Sequence, residues 1–470
     1  MSEHLSLRRI DDLISRRSLL RGGVAAAALA ALPSCDGAGS PASTGPPSPA
    51  STGSAASTGS AARVSANVHV SHDRYGVHVE PSVAANPRHP RQLLAACQAS
   101  PTANPQFIAT YLSFDGGASW HQGGLPRLPA GANGNDVTVA FDSLGRGYVC
   151  ATSSAGVLAV YAWRTNDGGR SFSAPVTLLQ GQNCDHPSMA TGQGQTPSEH
   201  NVYVAWGAGG RHRRAELRNS LGFTRSTDGG KSFEPPRRMV PASSADSAGP
   251  ELAAGPHGLV CAVCWWTTLP DSSGDMIGQA VAICSTDGGH SFAAPVPLGS
   301  GASDIQLPGN VRPNSSPTVA VSSDGDALYA AFPTHQPGAV HSDIVVTASH
   351  DRGRTWSKPV TATPADDVTY FQPNLAVDDT GRVAISAFAL ANGRVNQVLL
   401  VSRPRELGFR PPLRVTATAF DPHSPTTGGK HGAWWIGDYQ GITVGAGAFH
   451  LVWNDTRTGK LELFAATVRP

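Results

Sequence analysis

The sequence has little charge and no long apolar run. Only 15% of its 470 residues are charged and the formal net charge is +1, so nothing favours nucleic acid or an anionic membrane as a partner. The apolar run at residues 22–32 is shorter than the roughly 20 residues that a membrane-spanning helix needs. No phosphate loop, G-x-S-x-G elbow or H-E-x-x-H motif occurs. We therefore predict no cofactor and no metal site.

Glycine and proline are plentiful, with 52 and 37 residues. This composition suits many short strands and turns better than a helical bundle. The length allows two or three ordinary domains or one large all-β domain.

The first 35 residues have the pattern of an export signal. Arg16 and Arg17 precede the apolar run, which ends at Leu32-Pro33-Ser34-Cys35. The paired arginines resemble a twin-arginine signal, and the ending resembles a bacterial lipobox, which implies lipid attachment at Cys35. Residues 36–62, almost entirely Gly, Ala, Ser, Thr and Pro, are predicted to form a disordered linker. We expect a membrane-anchored protein of the cell envelope with a single body at residues 63–470.

Six cysteines follow the linker, and the sequence alone allows either buried thiols or disulfides. They are Cys97, Cys150, Cys184, Cys261, Cys264 and Cys284. Cys261 and Cys264 have the spacing of a zinc ligand pair, but LVCAVCW is typical of a strand. Residues three apart on a strand point to opposite faces, so they make a poor chelate.

One short turn, here called the repeated turn, occurs five times. Its copies are SFDGGASW at 113–120, TNDGGRSF at 165–172, STDGGKSF at 226–233, STDGGHSF at 285–292 and SHDRGRTW at 349–356. In the third copy, the Asp228 side chain can accept hydrogen bonds from nearby backbone N–H groups. Gly229 and Gly230 tolerate positive φ. We predict that each repeated turn joins two strands and has a structural role.

A strand pattern with a small residue near its centre alternates with these turns. Its copies are PSVAANP (81–87), VTVAFDS (137–143), PSMATG (187–192), PELAAGP (250–256), PTVAVSS (317–323), PNLAVDD (373–379) and GITVGAG (441–447). Repeats of this length, built from short strands, predict a β-propeller with four antiparallel strands per blade. Seven copies favour seven blades, with six as the main alternative. Residues 63–70 also alternate like a strand, and we predict that they close the last blade of a monomeric ring.

The repeated turn resembles the Asp-box, or bacterial neuraminidase repeat, of the sialidase-like propeller superfamily. The resemblance covers residues 63–470 and implies the propeller fold and an extracellular glycan as partner. Sialidases of that superfamily carry an arginine triad, a tyrosine nucleophile with a glutamate, an aspartate acid/base and an early Arg-Ile-Pro motif. This sequence has no Arg-Ile-Pro, and Arg74 is the only arginine in residues 72–81.

Strand alternation predicts where a site would lie. The repeated turns share one face of the ring, and the links that lead into the innermost strands open on the other, where loops can vary. Hydrolysis of a glycoside needs two carboxyl groups, or a tyrosine nucleophile with a carboxylate partner, and arginines suit an acidic sugar. The predicted catalytic residues are Tyr439, Asp438, Glu251 and Asp185. The predicted substrate-binding residues are Arg312, Arg457, Tyr370, Glu80 and Asp136.

Two hypotheses for function follow. The first is a surface-tethered, sialidase-like glycoside hydrolase whose active site lies in the mouth of the ring. The second is a non-catalytic propeller that binds a glycan or a protein, because polar residues where blades meet often bond to one another.

Overall fold

The computed structural model is all-β. It describes residues 62–101, 106–154, 156–182, 184–208, 221–240, 246–267, 278–299, 307, 309–312, 315–334, 341–424 and 434–470. The predicted signal, Cys35 and nearly all of the predicted linker lie outside the described residues. Within them, no helix has the length and apolar character that crossing a membrane requires.

The described strands form six four-stranded antiparallel sheets and a seventh sheet of five strands, which are the blades of a propeller. Blade 1 consists of β3 (Val77–Asn86), β4 (His89–Ser100), β5 (Phe107–Ser113) and β6 (His121–Gln122). Blade 2 consists of β7 (Asn135–Phe141), β8 (Gly147–Ser153), β9 (Ala159–Thr165) and β10 (Val176–Gln180). Blade 3 consists of β11 (Cys184–Gln193), β12 (His200–Ala208), β13 (Leu221–Ser226) and β14 (Arg237–Arg238).

The next three blades repeat this order. Blade 4 consists of β15 (Asp246–Ala254), β16 (Val260–Thr267), β17 (Gly278–Ser285) and β18 (Val296–Pro297). Blade 5 consists of β19 (Thr318–Val321), β20 (Leu328–Thr334), β21 (Asp343–Ser349) and β22 (Val360–Thr361). Blade 6 consists of β23 (Thr369–Val377), β24 (Val383–Ala391), β25 (Arg394–Val401) and β26 (Leu413–Arg414). The prediction of seven blades is confirmed.

Blade 7 is built from both ends of the body. Its strands β27 (Gly441–Gly445), β28 (Ala448–Asp455) and β29 (Glu462–Arg469) come from the C-terminal end. Two short N-terminal strands, β1 (Arg63–Val64) and β2 (Val68–His69), pair antiparallel with β29, and Arg63 lies opposite Arg469. This arrangement confirms the predicted closing strand.

The hydrophobic core lies between neighbouring blades. Side chains of β4, such as Leu94, pack with Val149 and Trp163 of blade 2 in one such layer. Because the middle strands are covered on both faces, they read as continuous apolar runs; residues 383–390 of β24 are all buried. Each blade therefore needs its neighbours to bury its faces.

The repeated turns join the third and fourth strands of blades 1 to 5, as predicted. In the third copy, Asp228 accepts hydrogen bonds from the Lys231 and Ser232 backbone N–H groups at 2.9 and 3.0 Å. It also accepts bonds from the hydroxyls of Ser226 and Ser232 at 2.8 and 2.6 Å. Partial burial would raise the pKa of Asp228, but the bonds from Ser232, Ser226 and Lys231 lower it to about 2. Blade 6 forms although Pro404 stands where the aspartate would be, so one blade does not need this carboxylate.

Asp228→Ala should lower the stability of the propeller without changing its activity. Losing the carboxylate leaves two backbone N–H groups without their acceptor, which costs on the order of 1–2 kcal/mol. Urea unfolding at pH 7 measures the change, and Asp326→Ala, an exposed turn aspartate of blade 5, is the control. Equal stability of the two variants would contradict a structural role for the turn.

Cysteine pairing is settled at one position among the alternatives that the sequence left open. Cys261 of β16 and Cys284 of β17 lie opposite each other and form a disulfide. Cys97, Cys150, Cys184 and Cys264 are buried free thiols. The strand assignment of LVCAVCW is correct, since both Cys261 and Cys264 lie on β16.

Removing the Cys261–Cys284 disulfide should destabilise the protein by about 3 kcal/mol, because the bond constrains a loop of 23 residues in the unfolded chain. The test is chemical unfolding of the Cys261→Ala/Cys284→Ala double variant. Cys264→Ala, which truncates a buried free thiol of the same strand, measures the cost of the lost side-chain packing. If the double variant loses no more stability than twice the loss measured for Cys264→Ala, the prediction is wrong.

Candidate active site

The innermost strands of five blades share an irregularity near the end at which the chain enters them. A register shift interrupts the pairing of β3, β7, β11, β15 and β23 with their neighbours. The residues with positive φ at these shifts are Glu80, Asp136, His186, Gly249 and Gln372. For a residue other than glycine this conformation costs on the order of 1–3 kcal/mol, and such strain concentrates at functional sites.

These bulges and the links before blades 5 and 7 bring eight polar side chains together, here called the channel group. Its members are Glu80, Asp136, Asp185, His186, Glu251, Arg312, Asp438 and Tyr439. Seven of the nine residues that the sequence predicted for catalysis or substrate binding are in this group.

Two contacts within the group join distant parts of the ring. The rings of His186 in blade 3 and Tyr439 before blade 7 are 5.0 Å apart in an edge-on arrangement. Arg312, in the link between blades 4 and 5, donates to Asp438 at 2.8 Å. The two residues of each pair come from parts of the ring that are not neighbours, so both contacts lie on the inner side of the ring.

Backbone pairing explains how Arg312 reaches Asp438. The Trp434 N–H donates to the Asn310 carbonyl at 2.9 Å, and the Arg312 N–H donates to the Trp434 carbonyl at 2.8 Å. The indole N–H of Trp435 donates to the second carboxylate oxygen of Asp438 at 2.8 Å. Trp435 is buried in the hydrophobic core, so its ring is not available to stack on a sugar.

His186 and Glu251 form a second fixed pair. His186 Nε2 lies 3.1 Å from one carboxylate oxygen of Glu251, and the Ser188 hydroxyl donates to the other at 3.0 Å. Burial alone would lower the pKa of His186. The hydrogen bond and charge of Glu251, with the charges of Asp185 and Asp136, outweigh burial and raise the pKa to about 9. His186 is therefore a cation at neutral pH.

Among the carboxyl groups of the channel group, Asp136 has a raised pKa. Burial raises its pKa to about 6, and the charges of Asp185 and Asp438 add to the rise. The charge of His186 and a hydrogen bond from the Thr152 hydroxyl at 2.9 Å oppose it. A carboxyl group with this pKa exchanges a proton under mildly acidic conditions.

Tyr439 stands among the carboxyl groups. Burial raises the pKa of its phenol well above 10, and the charges of Glu80, Asp136, Glu251 and Asp438 raise it further. Within the described residues, its hydroxyl takes no hydrogen-bond partner. The phenol is thus a neutral hydrogen-bond donor at neutral pH.

Two predicted site residues do not join the channel group. Tyr370 is buried between blades 5 and 6, and its hydroxyl donates to Asp366 at 3.1 Å. The position that turns toward the axis in that strand is Gln372, two residues later. Arg457 lies after β28, where its guanidinium bonds to Asn67 at 3.0 Å and lies 4.3 Å from the Phe464 ring centre.

Sequence reasoning did not assign roles to His186 and Thr152. The signal for His186 was present, because Glu80-Pro81, His186-Pro187, Gly249-Pro250 and Gln372-Pro373 all place a residue before proline at the same point of a repeat. Thr152 lies on the neighbouring strand β8, and only the register of that pair brings it to Asp136.

Solved structures of other proteins resemble this chain at low sequence identity. An α-L-arabinofuranosidase of family GH93 from Fusarium graminearum, in complex with arabinobiose, is 13% identical with a TM-score of 0.50 and covers 72% of this chain and 98% of its own. This likeness shows the fold alone. The propeller is also similar to a leech intramolecular trans-sialidase, 13% identical with a TM-score of 0.45, covering 67% of this chain and 65% of its own. An ulvan lyase of family PL25 is 10% identical with a TM-score of 0.49, covering 84% and 94%.

No protein-family model matches the sequence. The comparison with curated proteins gives no match either. The likeness therefore extends to the architecture, and the chemistry has to be argued from the channel group.

Proposed function

We propose that the channel group is the active site of a glycoside hydrolase. The observation that carries the proposal is the different surroundings of two carboxyl groups at one site. Burial raises the pKa of Asp136 to about 6, whereas Glu251 bonds to the His186 cation and to Ser188. A proton donor and a carboxylate near one bound sugar are the two groups that glycoside hydrolysis needs.

In this proposal, Asp136 protonates the departing glycosidic oxygen. As the glycosidic bond breaks, a water molecule attacks the anomeric carbon and gives its proton to Glu251, the second carboxylate. Tyr439 donates a hydrogen bond to the sugar. The transition state of the reaction carries positive charge on the sugar ring. The carboxyl groups of Glu80, Asp185 and Asp438 surround this position and stabilise that charge.

The same charges bear on the choice of sugar. Five members of the channel group are acids, and Arg312 is its one guanidinium, already bonded to Asp438. A substrate carboxylate would have to displace that bond and meet the remaining acids. We therefore favour a neutral sugar at this site. A sialidase, with Tyr439 as the nucleophile, is the narrower form of the hypothesis that the resemblance implies.

A non-catalytic, glycan-binding propeller is the second candidate. The bonds between Arg312 and Asp438 and between His186 and Glu251 favour it, because they satisfy part of the group without any ligand.

Hydrolysis of aryl glycosides tests the proposal. We expect the purified protein to release 4-nitrophenol from at least one glycoside of a neutral pentose or hexose, and faster than from the glycoside of N-acetylneuraminic acid. No release from any neutral glycoside would overturn the hydrolase proposal. Binding to a glycan array without release would establish the second candidate.

We also propose that the protein works outside the cytoplasm, anchored by a lipid on Cys35. The support is the sequence pattern of residues 1–35. Labelling with a palmitate analogue in the producing bacterium should mark the parent and not Cys35→Ala. Equal labelling of the two would contradict the anchor.

A further inference from the structure

A cavity of about 890 Å³ opens on the face opposite the channel group, between blades 1 and 2. Its walls are the turns between the first two strands of each blade, together with residues of the repeated turns. The lining residues that matter here are Arg88, Arg91, Arg170, Gln92, Asn86 and Phe114. None of them has a part in the proposed reaction.

Two arginines of the cavity are held in place by neutral partners. Arg88 Nε donates to the Ser143 carbonyl at 3.1 Å. Arg170 donates to the Asp167 carbonyl at 3.0 Å, and its guanidinium carbon lies 4.2 Å from the centre of the Phe114 ring. A backbone carbonyl or an aromatic ring orients a guanidinium without neutralising it. These side chains are thus ordered and remain charged.

No carboxylate in the described part of the chain forms an ion pair with Arg88, Arg91 or Arg170. The acid of the cavity wall is Asp167, whose carboxylate accepts bonds from Thr165 and Ser171 within its own turn. Partial burial would raise the pKa of Asp167, but those bonds lower it to about 2. Three guanidinium groups against one occupied carboxylate leave the cavity positive.

Arg405 offers a contrast on the same face. It follows the third strand of blade 6, and its guanidinium bonds to Asp324 of blade 5 at 2.9 Å. The corresponding corner between blades 5 and 6 is therefore neutralised, whereas the corner between blades 1 and 2 is not.

The cavity also has the contacts that a sugar uses. The buried amides of Asn86 and Gln92 bond to each other at 2.7 Å and form an ordered polar floor. Phe114 is 41% exposed, which is unusual for a large apolar side chain and provides a surface for a sugar ring.

We propose that this cavity binds an acidic oligosaccharide, one that carries carboxylate or sulfate groups. The forks of Arg88, Arg91 and Arg170 would bind the anionic groups, because a planar guanidinium matches the geometry of either group. The site is separate from the channel group and does not depend on hydrolysis there. It would hold an anionic polysaccharide against the protein while the opposite face remains open.

Calorimetric titration of the whole protein tests the proposal, with tetragalacturonate for carboxylate and a sulfated galactose tetrasaccharide for sulfate. Maltotetraose is the neutral comparison and sodium sulfate the bare anion. We expect at least one acidic tetrasaccharide to bind about tenfold tighter than maltotetraose or sodium sulfate, with affinity that falls as salt rises. If maltotetraose binds as tightly as the acidic tetrasaccharides, charge has no role. If sodium sulfate binds as tightly as they do, the sugar has no role.

Variants locate the binding. Arg88→Gln/Arg91→Gln and, separately, Arg170→Gln should each weaken it about tenfold or more, since each removes a charge-assisted contact. Arg405→Gln is the matched control and should leave affinity unchanged, as should Asp136→Asn in the channel. The proposal would be overturned if both sets of arginine variants bound the acidic tetrasaccharide as tightly as the parent. It would also be overturned if Arg405→Gln lost as much affinity as they did. Thermal unfolding checks that each variant is folded.

Discussion

Asp136→Asn should lower kcat/KM for the best neutral aryl glycoside by about 10²–10⁴-fold, the range attributed to a positioned general acid. Asparagine keeps the size of the side chain and can still bond to Thr152, but its amide is not acidic and cannot act as a general acid. Because the protonated form of Asp136 is the active one and its pKa is raised to about 6, kcat/KM of the parent should be highest below pH 6 and fall above it. Initial rates between pH 4 and 9 measure both effects.

A second variant distinguishes proton transfer from a loss of shape. Thr152→Val removes the hydrogen bond that lowers the pKa of Asp136, so the alkaline fall in kcat/KM should move to higher pH while activity at pH 4.5 is kept. Asp367→Asn, which changes an exposed carboxyl of blade 6, should match the parent. If Asp136→Asn keeps the parental rate, or Thr152→Val leaves the pH profile unmoved, Asp136 is not the acid.

Glu251→Gln should destabilise the protein at pH 6 far more than at pH 9.5. The folded protein holds the pKa of His186 at about 9, above its usual value near 6.5, so folding favours the protonated ring. That contribution is fully present below pH 6.5 and is lost as pH rises through 9. Its upper limit is on the order of 3 kcal/mol, and Glu251 supplies the largest share among the groups that raise the pKa.

Urea unfolding at the two pH values measures the effect. We expect a loss of about 2 kcal/mol at pH 6 and under 1 kcal/mol at pH 9.5. Glu234→Gln is the control, because Glu234 pairs with Arg225 at an exposed position and the charge of arginine does not change over this range. A loss in Glu251→Gln that is the same at both pH values would show that His186 does not carry the charge.

The architecture was predictable because every blade repeats the same local solution. Two patterns alternate regularly along the chain: a strand with a small residue near its centre, and a turn such as residues 226–233. A copy that departs from the pattern can therefore still be assigned from the others. The loss of the aspartate at Pro404 did not obscure blade 6 for this reason. Closure by residues 63–70 followed from counting strands.

The site was predictable only as a set of candidates. Alternation along a strand says which side chains face the axis, but a bulge moves that assignment by a residue. This is why Gln372, and not Tyr370, turns inward. The contacts that decide the chemistry, between His186 and Tyr439 and between Arg312 and Asp438, join parts of the ring that no local pattern relates.

The pairing of β1 and β2 with β29 has a consequence for the order of synthesis. The strands that complete blade 7 include the first and the last of the body to be synthesised. The N-terminal strands β1 and β2 therefore cannot pair until β29 has been made. The cost of bringing ends so far apart together is met only when Glu462–Arg469 are available. Asp438 and Tyr439 join the channel group with this final blade, so a nascent or truncated chain could form the earlier blades but not the complete channel group.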